Sequence, residues 1–81
     1  MKNKFLEKNK DLVSRVKEYL VGGGRISISS IQRKFRLGFS RAAEMMDALT
    51  ELGVIKETPT DSIPKRELVY ENLSLLDEYV V

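Results

Sequence analysis

Hydrophobic residues recur at helical spacing in three segments of this chain of 81 residues. The first segment predicts a helix over residues 8–21, which the glycine triplet Gly22–Gly24 ends. Its apolar stripe comprises Phe5, Leu6, Leu12, Val13, Val16, Tyr19 and Leu20. The last segment predicts a helix that ends at Gly53, in the left-handed conformation that glycine favours. Its apolar stripe comprises Ala42, Met45, Met46, Leu49 and Leu52. Of the two adjacent methionines, we expect one in the core and the other beside it.

A shorter helical segment lies between these two. We expect a strand over residues 26–28 to lead into it. Ser29 is predicted to cap a helix that begins at Ser30, because its hydroxyl can accept from a backbone N–H of the first turn. Gln32, three residues after Ser29, would complete a capping box.

The middle and last helices form a helix-turn-helix pattern. Ile31 and Phe35, four residues apart, place one apolar face on the middle helix. The turn is centred on Leu37-Gly38, where Gly38 is expected to supply the backbone conformation that other residues resist. Ser40 is predicted to cap the last helix, which then lies in the recognition position of the motif.

The downstream region predicts two short strands, at residues 54–56 and 67–70, joined by a polar loop over residues 58–65 that carries both prolines. The order of elements is that of a winged helix, an α+β fold with three helices and a small antiparallel β-sheet. We predict a single domain over residues 1–81 with a core at about 10–71. Residues 72–81 fit either a short helix or an extended tail.

The residue types present exclude several kinds of chemistry. The chain contains neither cysteine nor histidine, so disulfides, thiolate nucleophiles and the usual zinc ligands are not expected. The glycine triplet is not followed by the Lys-Ser/Thr of a phosphate-binding loop. We therefore predict no enzyme activity and no cofactor. With neither a membrane-spanning run nor a secretory signal in the sequence, no membrane contact and a cytoplasmic location are predicted.

Charge is distributed unevenly along the chain. Residues 1–41 carry eleven basic and three acidic side chains, a net charge of +8, whereas residues 42–81 carry three basic and nine acidic ones, a net charge of −6. Basic side chains around the inter-helix turn are placed to meet the DNA backbone. They are Arg33, Lys34, Arg36 and Arg41, with Arg25 ahead of the first strand. At the end of the loop, Lys65 and Arg66 could meet a phosphate or the minor groove.

One stretch resembles a known family. The residues SISSIQR (27–33), FRLGF (35–39) and RAA (41–43), followed by RELV (66–69), are similar to the gamma domain of the FtsK/SpoIIIE bacterial DNA translocases. The similarity spans about residues 10–70. It implies a winged helix that reads short oriented motifs in double-stranded DNA and directs a hexameric ATPase motor. It also implies a translocase motor as a partner, and neighbouring copies associating side by side on DNA.

The chain departs from this family at recognition positions. Typical members have Asn at the position of Ser40 and Arg at that of Glu44, whereas Asp47 matches an acidic position. Glu44 cannot donate to guanine but could accept from a cytosine amino group. Alternatively, Glu44 and Asp47 stabilise the helix dipole. The predicted DNA-binding residues are Arg25, Ser30, Gln32, Arg33, Lys34, Arg36, Ser40, Arg41, Glu44, Asp47, Lys65 and Arg66.

Two other functions fit the sequence. The acidic residues of the last helix and the apolar tail could form a protein-interaction surface, for a dimer or for a recombinase. The tail residues concerned are Leu73, Leu75, Leu76, Tyr79, Val80 and Val81. The second alternative is a small transcriptional regulator that dimerises through the first helix or the tail.

Overall fold

The computed structural model describes residues 3–60 and 64–80. Its elements in chain order are α1 (Lys4–Lys8), α2 (Lys10–Val21), α3 (Ile28–Phe35), α4 (Phe39–Leu52), β1 (Ile55–Thr58), β2 (Lys65–Leu68) and a 3₁₀ helix (Tyr70–Glu78). The predicted α+β winged-helix class is confirmed by these helices together with the two-stranded antiparallel sheet. The predicted number of three helices is wrong, because the described ranges contain four α-helices as well as the 3₁₀ helix.

The helix predicted over residues 8–21 corresponds to α2, whereas Phe5 and Leu6 of its stripe lie in a separate helix, α1, whose C-cap is Asn9. The backbone there leaves the helical region, at φ −126° and ψ 42°. The Asn9 side chain donates to the carbonyl of Phe5 at 2.7 Å, and its backbone N–H donates to Leu6. Asn3 caps α1 by accepting from the backbone N–H of Leu6 at 3.1 Å. The break lets Leu6 enter the core together with the apolar face of α2.

The start of α3 differs from the prediction. No strand forms at residues 26–28, because Ile28 is already the first residue of α3. Ser27 is the cap: its backbone is extended, and its Oγ accepts from the N–H of Ser30 at 3.1 Å. Ser29 lies inside the helix and is exposed, so the predicted Ser29–Gln32 capping box is wrong. Both prediction errors come from placing the cap two residues too late.

The inter-helix turn uses different residues from those predicted. Arg36, not Gly38, has the left-handed conformation, with φ 53° and ψ 49°. Gly38 has an extended backbone and is itself the N-cap of α4, so the predicted cap Ser40 is the second residue of the helix. The other end of α4 is as predicted: Gly53 has φ 92°, and its N–H donates to Leu49 and Thr50.

The wing is a hairpin of two four-residue strands. Ile55 pairs with Leu68, and Thr58 pairs with Lys65. Both strands lie nearer the loop than predicted. Val54, which was predicted to begin the first strand, instead donates its backbone N–H to the carbonyl of Leu49 in α4 at 3.0 Å. The prediction of a polar wing loop falls partly on residues 61–63, which lie outside the described residues.

One cluster of buried side chains draws on every helix. It includes Leu6 of α1, Val16 of α2, Ile31 of α3, Met45 of α4 and Leu76 of the 3₁₀ helix. Met46 is also buried, so the expectation that one methionine only flanks the core is wrong. Adjacent helical positions differ by about 100°, and the apolar face of α4 is wide enough to include both. No helix within the described ranges is long and apolar enough to cross a bilayer.

The C-terminal segment closes the core beside α2. Leu76 is 0% exposed and Tyr79 is 2% exposed. Asp77 forms an ion pair with Lys17 of α2, and Asn72 donates to the carbonyl of Gly53 at 2.9 Å. The Tyr79 hydroxyl accepts from the backbone N–H of Asn3 at 3.0 Å, which joins the two ends of the described chain. Of the two predicted forms of the tail, the short helix is the one observed, as a 3₁₀ helix.

Candidate nucleic-acid interface

The outward face of α4 is acidic. Ser40, Glu44, Asp47 and Glu51 recur every three or four residues on the side opposite its buried face, and all four are exposed. The buried face comprises Ala42, Met45, Met46, Ala48 and Leu49. The predicted base-reading positions of α4 therefore share one accessible surface that carries carboxylates and a hydroxyl.

Four basic side chains, here called the basic turn, surround the connection between α3 and α4. Arg33 and Lys34 are exposed in the last turn of α3, and Arg36 is exposed in the connection itself. Arg41 is exposed in the first turn of α4, and its Nη2 donates to Oδ1 of Asn9 at 2.9 Å. These predicted phosphate-binding residues lie at the end of α3 and the beginning of α4, so the structure brings them to one end of the motif.

The other predicted residues near α3 are placed differently. Arg25 is exposed, and its carbonyl accepts from the Tyr19 hydroxyl at 2.7 Å. Gln32 is half-buried. Ser30 is 9% exposed, and its hydroxyl accepts from Ser27 Oγ at 2.8 Å. The Ser30 side chain therefore serves the start of α3 and does not belong to the exposed surface.

The basic residues of the wing have acidic neighbours. Lys65 lies 3.0 Å from a carboxylate oxygen of Glu67, and Lys56 lies 3.8 Å from the other oxygen. Arg66 Nε lies 3.5 Å from the carboxylate of Glu57. The hydrogen bond and positive charge of Lys65, followed by the charge of Lys56, hold the pKa of Glu67 below its ordinary value of 4.5. The positive charge of the wing is thus largely balanced within the hairpin.

Two surface features were not predicted from the sequence. Phe39 is the first residue of α4 and is 63% exposed. The predicted cap at Ser40 puts Phe39 before the helix, so the sequence does not indicate that its ring is exposed on α4. The second feature is an open groove of about 690 Å³ between α2 and α3, lined by Arg15, Lys34 and the glycine triplet among others. Its floor is Phe35, whose ring lies 5.5 Å from Tyr19 and 5.4 Å from the Arg15 guanidinium.

Comparison with known proteins identifies the family. The family model described as the Ftsk gamma domain matches residues 7–71. This chain belongs to the Ftsk gamma domain family. The predicted resemblance is therefore confirmed, over almost the same residues.

Relatives of this Ftsk gamma domain are DNA translocases. The chain is 51% identical over 45 residues to the DNA translocase FtsK of Pasteurella multocida, which covers 56% of this chain and 5% of that protein. It is 36% identical over 69 residues to the DNA translocase SpoIIIE of Bacillus subtilis, which covers 79% of this chain and 8% of that protein. The match thus represents a small part of these relatives. No solved structure matches the chain.

The described residues offer no alternative centre for metal chemistry. Within residues 3–60 and 64–80, no group of three or more histidine, cysteine, aspartate or glutamate side chains could hold a metal ion.

Proposed function

We propose that this domain binds double-stranded DNA, with the basic turn on the phosphates and the first turns of α4 at base edges in the major groove. The observation that carries the proposal is the position of the basic turn, whose four exposed cations flank the beginning of the recognition helix. Lysine and arginine side chains that neutralise phosphates supply most of the sequence-independent affinity for DNA. The membership of the Ftsk gamma domain family, whose relatives are DNA translocases, supports the same assignment.

The acidic face of α4 constrains how the domain approaches the duplex. Asp47 and Glu51 lie roughly 12 and 18 Å along the helix from Phe39, at a rise of about 1.5 Å per residue. Carboxylates at that depth would repel phosphates on both sides of the groove. We therefore propose that α4 enters by its first two turns only. The N-terminal residues of a recognition helix are those that ordinarily contact bases.

Within this arrangement the predicted residues have distinct roles. Ser40 and Glu44 face base edges, where Glu44 can accept from a cytosine amino group. Arg41 reaches either a base or a phosphate after exchanging its hydrogen bond with Asn9. Lys65 and Arg66 contact the backbone only after exchanging their glutamate partners, so we assign the wing a smaller share of the affinity. Ser30 is omitted because it is buried.

The wider role follows from the relatives and is likewise a proposal. We propose that the domain reads short oriented motifs for a translocase motor that acts in the cytoplasm. The relatives named above are DNA translocases much longer than this chain. A motor or a recombinase is the protein partner this role calls for, and neighbouring copies would sit side by side on one duplex.

The alternative hypothesis, a dimer formed through the C-terminal tail, has less support. Leu76 and Tyr79, which were candidates for a dimer surface, are buried in the core of the same chain. Leu73 and Val80 pack partly against that core, and Leu75 is the large apolar side chain that the described tail leaves exposed. A dimer that used Leu76 or Tyr79 would have to unfold the tail first, and Val81 lies outside the described residues.

Selection from randomised duplex DNA at about 100–150 mM salt tests the proposal. The retained pool should contain an enriched short motif. Arg41→Glu should then weaken binding to every duplex, because it replaces a cation of the basic turn with an anion. Lys4→Glu makes the same change in charge at α1, beside the far end of α4, and should keep the wild-type affinity. If neither the wild type nor Lys4→Glu retains DNA, the proposal is wrong.

A further inference from the structure

Phe39 is an exposed aromatic ring at the beginning of the recognition helix. It is 63% exposed, although the chain buries the other two phenylalanines wholly or in part. The described core cluster does not include it. Since Gly38 is the N-cap of α4, the ring projects from the first helical residue, next to the basic turn.

The neighbours of Phe39 set the chemistry of this end of α4. Ala43, four residues later, lies on the same side of the helix and is half-buried, so ring and methyl group form a small apolar patch. The outward residues Ser40 and Glu44 lie beside it and offer a hydroxyl and an acceptor. The first two turns of α4 therefore present an apolar patch next to polar acceptors.

The major groove contains one apolar group that matches such a patch. Each base pair shows hydrogen-bond donors and acceptors there, and only thymine adds a C5-methyl group, which apolar side chains including phenylalanine contact. The four exposed cations of the basic turn lie at the same end of α4 and match the charge of DNA phosphates. Charge complementarity thus points to duplex DNA as the occupant of the patch.

We infer that Phe39 is a specificity-determining residue that packs on a thymine methyl group and so selects A·T pairs at its position in the site. This inference rests on the proposed DNA binding and adds a base to it. A phenyl ring neither donates nor accepts an ordinary hydrogen bond, so any discrimination that Phe39 itself makes comes from the methyl contact. Phe39 is thereby distinguished from the basic turn, which supplies affinity without sequence preference.

Substitution of uracil for thymine tests the inference, because it removes the methyl group and keeps the hydrogen-bonding edges. The duplex selected by the wild-type domain is prepared with thymine and with uracil, and affinities are measured by fluorescence anisotropy. The wild type should lose about fourfold for each contacted methyl, the effect of exposing one CH₂-sized group. Phe39→Ala should bind both duplexes equally. Phe39→Leu keeps an apolar contact and should retain part of the difference.

Val21→Ala is the matched control, since Val21 is another exposed apolar residue, at the end of α2. It should preserve the wild-type ratio between the two duplexes. The inference is overturned if wild type binds thymine and uracil duplexes equally, if Phe39→Ala keeps the full ratio, or if the selected motif contains no thymine. Each of these results leaves DNA binding intact, whereas failure to bind any duplex would overturn the proposed function itself.

Discussion

Two residues define the ends of α3 by opposite means. Ser27 satisfies a backbone N–H at the start of the helix, and Arg36 ends the helix in a left-handed conformation that a side chain makes costly. Arg36 also belongs to the basic turn. A residue that is unfavourable for folding thus occupies a position where we propose that its charge is used.

Removing the cap should destabilise the domain. We expect Ser27→Ala to lower the free energy of unfolding by about 1 kcal/mol, because the N–H of Ser30 loses its acceptor. Ser29→Ala, two residues away and exposed, should change it by less than about 0.5 kcal/mol. Urea denaturation followed by circular dichroism measures both. A larger loss in Ser29→Ala would restore Ser29 as the cap.

Removing the backbone strain at Arg36 should raise the stability of the domain and weaken its binding to DNA. Arg36→Gly is expected to raise the free energy of unfolding by about 1 kcal/mol, since glycine adopts the left-handed region without strain. The same variant should bind duplex DNA more weakly, having lost one cation. Gly38→Ala is the control for affinity: Gly38 has an ordinary φ of −68° and open space around it, and alanine leaves the charge of the turn unchanged. An Arg36→Gly variant with unaltered affinity would remove Arg36 from the interface.

Sequence reasoning predicted the existence of α3 but not its first residue. Three serines, at positions 27, 29 and 30, could each have provided a cap hydroxyl. The choice is made by packing, because beginning the helix at Ile28 puts Ile28, Ile31 and Phe35 at spacings of three and seven on one face. That preference is visible only when the facing core is known.

At the scale of elements, the 3₁₀ helix obeys a period that differs from that of the α-helices. Side chains three residues apart eclipse one another in a 3₁₀ helix. Leu73, Leu76 and Tyr79 follow that spacing, and all three pack against the core. The α-helical period does not describe this spacing, so the sequence alone fits both a short helix and an extended tail.

The 3₁₀ helix should contribute to stability in proportion to what it buries. Leu76→Ala is expected to lower the free energy of unfolding by about 2–5 kcal/mol, the usual cost of truncating a buried leucine. Leu75→Ala, at a residue that is 43% exposed, should cost clearly less. Thermal and urea unfolding compare the two. Equal, small effects would mean that the segment is detached in solution.

The wing should weaken in acid. Because Lys65 and Lys56 lower the pKa of folded Glu67, its contribution to stability is present above its ordinary value of 4.5 and is lost as the pH falls through the folded value. The urea midpoint should therefore fall more steeply below that pH in wild type than in Glu67→Gln. Glu78→Gln, at an exposed residue of the 3₁₀ helix, serves as the control. About 1 M salt should shrink the difference.

For the whole molecule, the uneven distribution of positive and negative charge is the property that the sequence predicted best. The excess of bases before residue 42 and of acids after it corresponds to a basic turn at one end of α4 and carboxylates along its outward face. Charged side chains stay at the surface, so their sign along the chain translates directly into surface charge. The exposure of Phe39 could not be predicted, because an apolar residue before a helix is ordinarily assumed to pack inward.

The salt dependence of DNA binding should report how many phosphates the domain neutralises. With roughly four to six phosphates neutralised, the logarithm of the association constant should fall with that of salt concentration at a slope of about −4 to −5. Arg33→Ala should reduce the steepness by about 1, whereas Lys4→Ala should leave it unchanged. Fluorescence anisotropy over a salt series provides the slopes. A flat response would favour a protein partner over DNA.

The hydrogen bond between the Tyr79 hydroxyl and the backbone of Asn3 holds the two ends of the described chain together. Asn3, Tyr79, Glu51 and Leu52 line one small cavity, so both ends of the described chain lie beside the last turn of α4. That turn is the opposite end of the helix from Phe39 and the basic turn. If DNA binds as proposed, both ends of the described chain lie away from the duplex. A longer chain joined to the domain at both ends would therefore leave the basic turn and the beginning of α4 uncovered.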